Sequence, residues 1–194
     1  MKQKIYQVDA FTDEVFRGNP AAVCPLENWL GDEVMQKIAM ENNLSETAFY
    51  VKEGDSYHIR WFTPAVEVDL CGHATLATAF VLFNYEAHHS NTITFISDRS
   101  GILSVTKNGD LLTLDFPADS LEEVGVSDEL KAGFNINPQR AFRGKSDFLL
   151  VFDNEDDIAN IIPDIEKISV LDCRGVIVTL LFSRCQWLTD NSAG

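Results

Sequence analysis

The sequence predicts an α+β fold: a bent, mostly antiparallel sheet wrapped around one central buried helix, followed by an incomplete second lobe. Three observations predict it. The stretch from about residue 73 to 86 is apolar on nearly every helical face, with Ala74, Leu76, Ala77, Phe80, Val81, Leu82 and Phe83, so it must be buried all round. Segments of strand character precede and follow it. Past residue 117 the same strand–helix–strand idea recurs, but over a much shorter length.

In order, Lys4–Phe11 alternates and reads as a strand, and Phe16–Pro20 is a loop broken by Gly18 and Pro20. Ala21–Cys24 reads as a short strand closed by Pro25. Asp32–Asn42 is an amphipathic helix with Val34, Ile38 and either Met35 or Ala39 inward. Glu46–Lys52 and Tyr57–Phe62 are strands joined at Glu53-Gly54-Asp55, and Thr63-Pro64 is extended. After the buried helix come strands Thr92–Ser97, Gly101–Lys107 and Leu111–Phe116, the last two joined by Asn108-Gly109-Asp110. Pro117–Gly133 is acidic and loosely patterned, which sets lobes of 1–116 and 117–194. In the second, Phe148–Phe152 and Gly175–Thr179 read as strands, and Glu155–Ile162 and Asp164–Val170 as helices.

Composition narrows the function. The chain has 194 residues, 45% hydrophobic and 23% charged, which is globular composition. Acidic residues outnumber basic ones by 30 to 15, and the densest basic group, Arg140, Arg143 and Lys145, reads as ordinary surface, so no nucleic-acid partner is expected. No stretch approaches the roughly 20 apolar residues of a membrane span, and no apolar leader opens the chain, so the expectation is a cytoplasmic protein. Cys24, Cys71, Cys173 and Cys185 are too far apart for a CxxC pair, and the four histidines form no HxxxH or HExxH pattern, so no metal site is expected.

Four segments carry chemistry: Phe16-Arg17-Gly18-Asn19-Pro20-Ala21-Ala22-Val23, Asn43-Leu44-Ser45-Glu46-Thr47-Ala48-Phe49, Arg60-Trp61-Phe62-Thr63-Pro64 and Asp69-Leu70-Cys71-Gly72-His73-Ala74-Thr75-Leu76. In this order and at these intervals they resemble the amino-terminal signature of the PhzF-like (phenazine biosynthesis-like) family, relatives of diaminopimelate epimerase. The resemblance spans about residues 3 to 116 strongly and 140 to 179 weakly. It implies a diaminopimelate-epimerase-like fold of two lobes with the active site between them, a cofactor-free and metal-free isomerase, and often a homodimer. Glu46 matches the family's catalytic acid/base, which in the phenazine pathway shuttles a proton on a hydroxylated dihydro-anthranilate.

The residues support that assignment on their own terms. Moving a proton between carbons requires a group that accepts and returns it, and a carboxylate held partly dry at a strand end does both. Read alone, Glu46 also fits a solvated strand-edge residue; the ordered set of motifs decides for acid/base. Cys71-Gly72-His73 opens the buried helix, where free backbone N–H groups suit a carboxylate ligand and Gly72 allows close approach. His73 is expected to donate a hydrogen bond or relay a proton, against a plain capping or core role. Cys71 is expected to line the site, against a buried structural cysteine; a thiol racemase using it would need a second cysteine across the cleft. Asn19 is expected to reach the ligand, against a turn-forming role before Pro20, and Asp69 fits a helix cap.

The expected function is therefore proton movement on a small carboxylated metabolite, or alternatively a catalytically inactive binding or interaction protein of the same fold. The chain departs from the family after Gly175–Thr179: Phe182-Ser183-Arg184 reads as a next strand, but no Asp-Pro-x-x-Gly-Ser-Ala-His segment follows. The expectation drawn from this is a truncated second lobe with impaired activity.

Overall fold

The fold is described from a computed structural model that covers residues 2–14, 16–86 and 88–180; the expected strand at Phe182-Ser183-Arg184 lies outside the described residues. The chain divides after Pro117 into two units.

The first unit comprises β1 (Tyr6–Ala10), β2 (Asn19–Leu26), α1 (Asp32–Asn42), β3 (Glu46–Glu53), β4 (Ser56–Phe62), β5 (Glu67–Val68), α2 (Gly72–Asn84), β6 (Thr92–Ser97), β7 (Gly101–Asn108) and β8 (Leu111–Asp115). Its sheet runs β1-β2-β3-β4-β6-β7-β8, with β5 added beside β4. Pairing is antiparallel except between β2 and β3 and between β4 and β6. Helix α2 touches β1 and β8, the two ends of the strand order, as well as β2 and β3, so the sheet curls around it.

Side-chain alternation sorts the two faces. Ala21 and Val23 of β2, Ala48 and Tyr50 of β3, and Tyr57, Ile59 and Trp61 of β4 pack inward with Ala74, Ala77, Val81 and Leu82 of α2. Alanines on both sides let helix and strands approach closely. Cys24, Leu26, Phe49, Val51 and Phe62 face outward and are covered by Met35 and Ala39 of α1. The α2 threonines stay dry because their hydroxyls donate back to the preceding turn, Thr75 to the Cys71 carbonyl at 2.6 Å and Thr78 to that of Ala74 at 2.7 Å.

The structure corrects several local expectations. Val34 is 48% exposed; the stripe of α1 is rotated so that Met35 and Ala39 carry the burial. Helix α2 is not enclosed at Phe80, which is 40% exposed. Pro25 does not close β2, which runs on to Leu26; β1 pairs only as far as Val23, and where one side of a strand is open a proline is tolerated. Asp69 does not cap α2. Cys71 occupies that position, and the Asp69 carboxylate accepts from Arg99 Nη1 at 2.9 Å.

The second unit comprises β9 (Glu122–Val124), α3 (Asp128–Ala132), β10 (Arg140–Arg143), β11 (Asp147–Phe152), α4 (Glu155–Ala159), α5 (Ile165–Ser169) and β12 (Gly175–Leu180). Its sheet runs β12-β11-β10-β9 around a small core of Leu130, Ala141, Leu150 and Phe152. The acidic stretch before Gly133 thus contains a strand and a helix that its loose pattern conceals. Helix α4 stops at Ala159, short of Pro163, because the Asn160 side chain donates to the Asp156 carbonyl at 2.7 Å and caps it early. Arg143 is half-buried over the Phe148 ring rather than ordinary surface. Among the described residues, no helix is long and apolar enough to cross a membrane.

Candidate functional site

The site forms where two parallel strands and the buried helix all begin. Asn43 ends α1 in the left-handed conformation at φ 50°, and the chain turns directly into β3 at Glu46. Strand alternation puts Glu46 on the face of Ala48 and Tyr50, the one that receives α2. Cys71, extended at φ −142°, is the cap residue of α2, and His73 lies one residue inside the helix.

Three predicted residues meet here. His73 Nε2 lies 3.2 Å from Glu46 Oε2, and the Cys71 Sγ lies 3.4 Å from His73 Nδ1. The imidazole therefore bridges a carboxylate and a thiol. The His73 side chain is 9% exposed and that of Glu46 20%. Nε2 and Oε2 are both shielded from solvent, and their alignment falls short of a hydrogen bond, so each is left unsatisfied. Native structures pair most buried polar atoms, so two orphans that face each other single this pair out as the candidate site.

Burial lowers the pKa of His73, more than the Glu46 charge and the Pro20 carbonyl raise it, so the ring is neutral at pH 7. Burial pushes the Cys71 thiol up to about 12; the His73 and Ala74 backbone N–H groups pull the other way without prevailing. Cys71 is thus a thiol at neutral pH, and the helix start does not make it a nucleophile.

Gly72 has open space beside it: a methyl group there would meet only the Phe116 ring edge, at 4.0 Å. Asn19 opens β2 two residues before Ala21, the register partner of Glu46. It therefore lies at the same end of the sheet, though no hydrogen bond joins it to Glu46, Cys71 or His73 among the described residues. The Pro20 carbonyl beside His73 is a contributor that sequence reasoning missed; a backbone acceptor carries no residue-type signal. The donor atoms of Glu46, Cys71 and His73 all lie within 4.8 Å of one another, so the trio also has the makings of a metal site. A cavity of about 730 Å³ lies toward the carboxyl end of α2; of its two carboxylates, Glu27 and Glu86, the latter is already held by Tyr6 at 2.6 Å and Lys4 at 2.9 Å.

The chain is similar to known proteins over most of its length. The family model of phenazine biosynthesis-like proteins (PhzC–PhzF) matches residues 8–186. An uncharacterized isomerase of Pseudomonas aeruginosa is 49% identical over 189 residues, 97% of this chain and 72% of its own. The crystal structure of a PhzF-family phenazine biosynthesis protein from Enterococcus faecalis superposes with a TM-score of 0.83 at 51% identity, over 92% of this chain and 68% of that one. A structure described as a predicted epimerase of P. aeruginosa matches with a TM-score of 0.66 at 18% identity, over 93% and 70% respectively, and bears on the fold alone. A curled sheet around a buried helix, a family match across most of the length and close relatives of that name lead to one conclusion: the chain belongs to the phenazine biosynthesis-like (PhzF) family, with its diaminopimelate-epimerase-like fold.

Proposed function

We propose that the protein is a cofactor-independent isomerase that moves a proton on a small carboxylated metabolite, with Glu46 as acid/base and His73 as its hydrogen-bonding partner. One observation carries this reading: the facing, buried and unsatisfied Glu46 Oε2 and His73 Nε2, 3.2 Å apart. An oxygen with no committed partner is free to take a proton from substrate carbon and return it to another position, leaving the enzyme unchanged over a cycle.

Neutral His73 complements such a base. In this reading the protonated Cys71 thiol, 3.4 Å from Nδ1, is the donor of that contact, and the ring proton then sits on Nε2, on the Glu46 side. From there it donates to negative charge that develops on the substrate. The first backbone N–H groups of α2, beside open Gly72, offer a cradle for the substrate carboxylate. The isomerase name borne by the 49%-identical relative supports the reaction class. A homodimer in the cytoplasm belongs to the same proposal, and sedimentation equilibrium tests the dimer.

The test is solvent deuterium wash-in to a panel of small unsaturated and hydroxylated carboxylic acids, in the presence of EDTA. Wild-type protein incorporates deuterium into its substrate, and Glu46→Gln lowers the rate about 10²–10⁴-fold. Equal rates in both remove Glu46 from the chemistry. Binding without exchange in both replaces the isomerase by the inactive binding protein.

A further inference from the structure

We propose that Glu46, Cys71 and His73 form a reversible site for a soft divalent cation of the Zn²⁺ class, and that its occupancy shuts off proton transfer at the same residues. The regulatory half of this proposal rests on the acid/base reading above; the binding half stands on geometry.

The donor set is thiol, imidazole and carboxylate, which suits Zn²⁺ and its neighbours and not the oxygen-seeking Mg²⁺ or Ca²⁺. All three donors fall within 4.8 Å of one another, and they are the one such trio among the described residues. Zn–S bonds of about 2.3 Å and Zn–N or Zn–O bonds of about 2.0–2.1 Å at tetrahedral angles require donor–donor edges of roughly 3.3–3.6 Å. The Cys71–His73 contact of 3.4 Å and the His73–Glu46 contact of 3.2 Å already approach that length. The two contacts use opposite ring nitrogens, and one nitrogen binds the ion, so one contact is kept and the third donor swings in. Three protein ligands leave a fourth position open.

A second observation is independent of the spacing. The His73 side chain is nine-tenths buried, and its Nε2, like Glu46 Oε2, has no hydrogen-bond partner. A cation that replaces the Nε2 proton and takes a lone pair from each side chain relieves both. Local pattern searches do not find such a site, because Glu46 comes from a strand 25 residues before Cys71. Binding is a proton-for-metal exchange: the Cys71 S–H and His73 Nε2–H bonds break as the S–metal and N–metal bonds form, one proton moves to the freed Nδ1 and the other leaves to solvent, with no change of oxidation state. A carboxylate bound to a divalent cation loses most of its basicity, and the ion fills the space between Glu46 and His73 where a substrate proton would be taken, so occupancy and proton transfer exclude each other.

The test titrates Co²⁺ into the full chain, without substrate, in thiol-free buffer. The expected result is one equivalent bound with sulfur-to-cobalt charge-transfer absorption, displaced by Zn²⁺. Cys71→Ser loses that absorption, and Glu46→Gln weakens binding by more than about tenfold. Cys173→Ser and Cys185→Ser keep both the absorption and the affinity. Circular dichroism establishes that each variant is folded; should Cys71→Ser not fold, the Glu46→Gln affinity decides. No thiolate absorption in wild type, absorption retained in Cys71→Ser, or wild-type affinity in Glu46→Gln overturns the site. For the regulatory half, Zn²⁺ abolishes deuterium exchange and EDTA restores it; exchange that persists at full occupancy overturns it. Exchange in EDTA tests the catalytic reading and the cobalt titration tests the metal site, so either can fail without the other.

Discussion

The two units build sheets from similar strands but use helices differently. In the first, α2 has eight buried residues and is held by a sheet that meets it from both ends of its strand order. In the second, α4 and α5 have none, and each runs five residues. The enclosed helix has its cap residue Cys71 and its second residue His73 buried with it, and burial is what moves the pKa values of both away from the ordinary ones. Helices on a surface create no such environment. The lesson is that in this fold enclosure sets the environment of titratable side chains, and the trio of Glu46, Cys71 and His73 sits where enclosure begins.

The largest expected effect tests that contrast in the cores. Phe95 is fully buried in the cluster around α2, and Phe95→Ala is expected to destabilise by about 3–5 kcal/mol, because a curled sheet closed on a helix cannot collapse into the cavity. Phe152→Ala, in a core of four buried residues rimmed by half-buried ones, should fall at the low end of that range. Denaturant unfolding of both variants measures it, and equal losses would break the contrast. Next comes the loop that leads into the site. Gly18 sits at φ +78°, and a methyl group there would lie 2.2 Å from the Ala10 carbonyl oxygen, so Gly18→Ala should destabilise by at least about 1–3 kcal/mol. Gly54→Ala, with φ +60° but open space, carries the strain without the clash and serves as its control.

A smaller effect concerns pH. The pKa of His73 is lower in the folded protein than the usual 6.5, so the unfolded chain binds the extra proton first. The stability this contributes is present above about pH 6.5 and is lost as pH falls from there toward the folded value. His73→Asn should flatten that slope in thermal melts between pH 7 and 5. The smallest structural effect is Gly72→Ala, which meets only ordinary contact with Phe116 and should leave the melting temperature nearly unchanged. It should nevertheless raise KM, since the methyl group occupies the approach to the helix start; an unchanged KM would take Gly72 out of ligand binding.

Much of this was legible in the sequence. Asp32–Asn42 and Thr92–Ser97 show their limits plainly, and the all-round apolar pattern after Cys71 announces an enclosed helix, from which the fold class follows. What was not legible depends on partners distant in sequence. Pro25 inside a strand is understandable only once β1 is seen to stop pairing at Val23. Val34 and Met35 are equally apolar, and the neighbour that α1 packs against decides which is buried. Asp69 looks like a cap until Arg99 claims it. At the site, local motifs name Glu46, Cys71 and His73 singly. Their meeting depends on the parallel pairing of β2 with β3 and on the entry of α2 beside them, which no local pattern encodes.

The central claim is that Glu46 and His73 act as one coupled, buried pair, and titration of the His73 ring by NMR tests it most directly. In the wild type His73 should titrate below the usual histidine range, since burial outweighs the Glu46 charge. In Glu46→Gln that charge is gone, and the His73 pKa should fall further. A His73 pKa that stays put on this substitution, or rises to the ordinary value, would contradict the pairing and the function built on it.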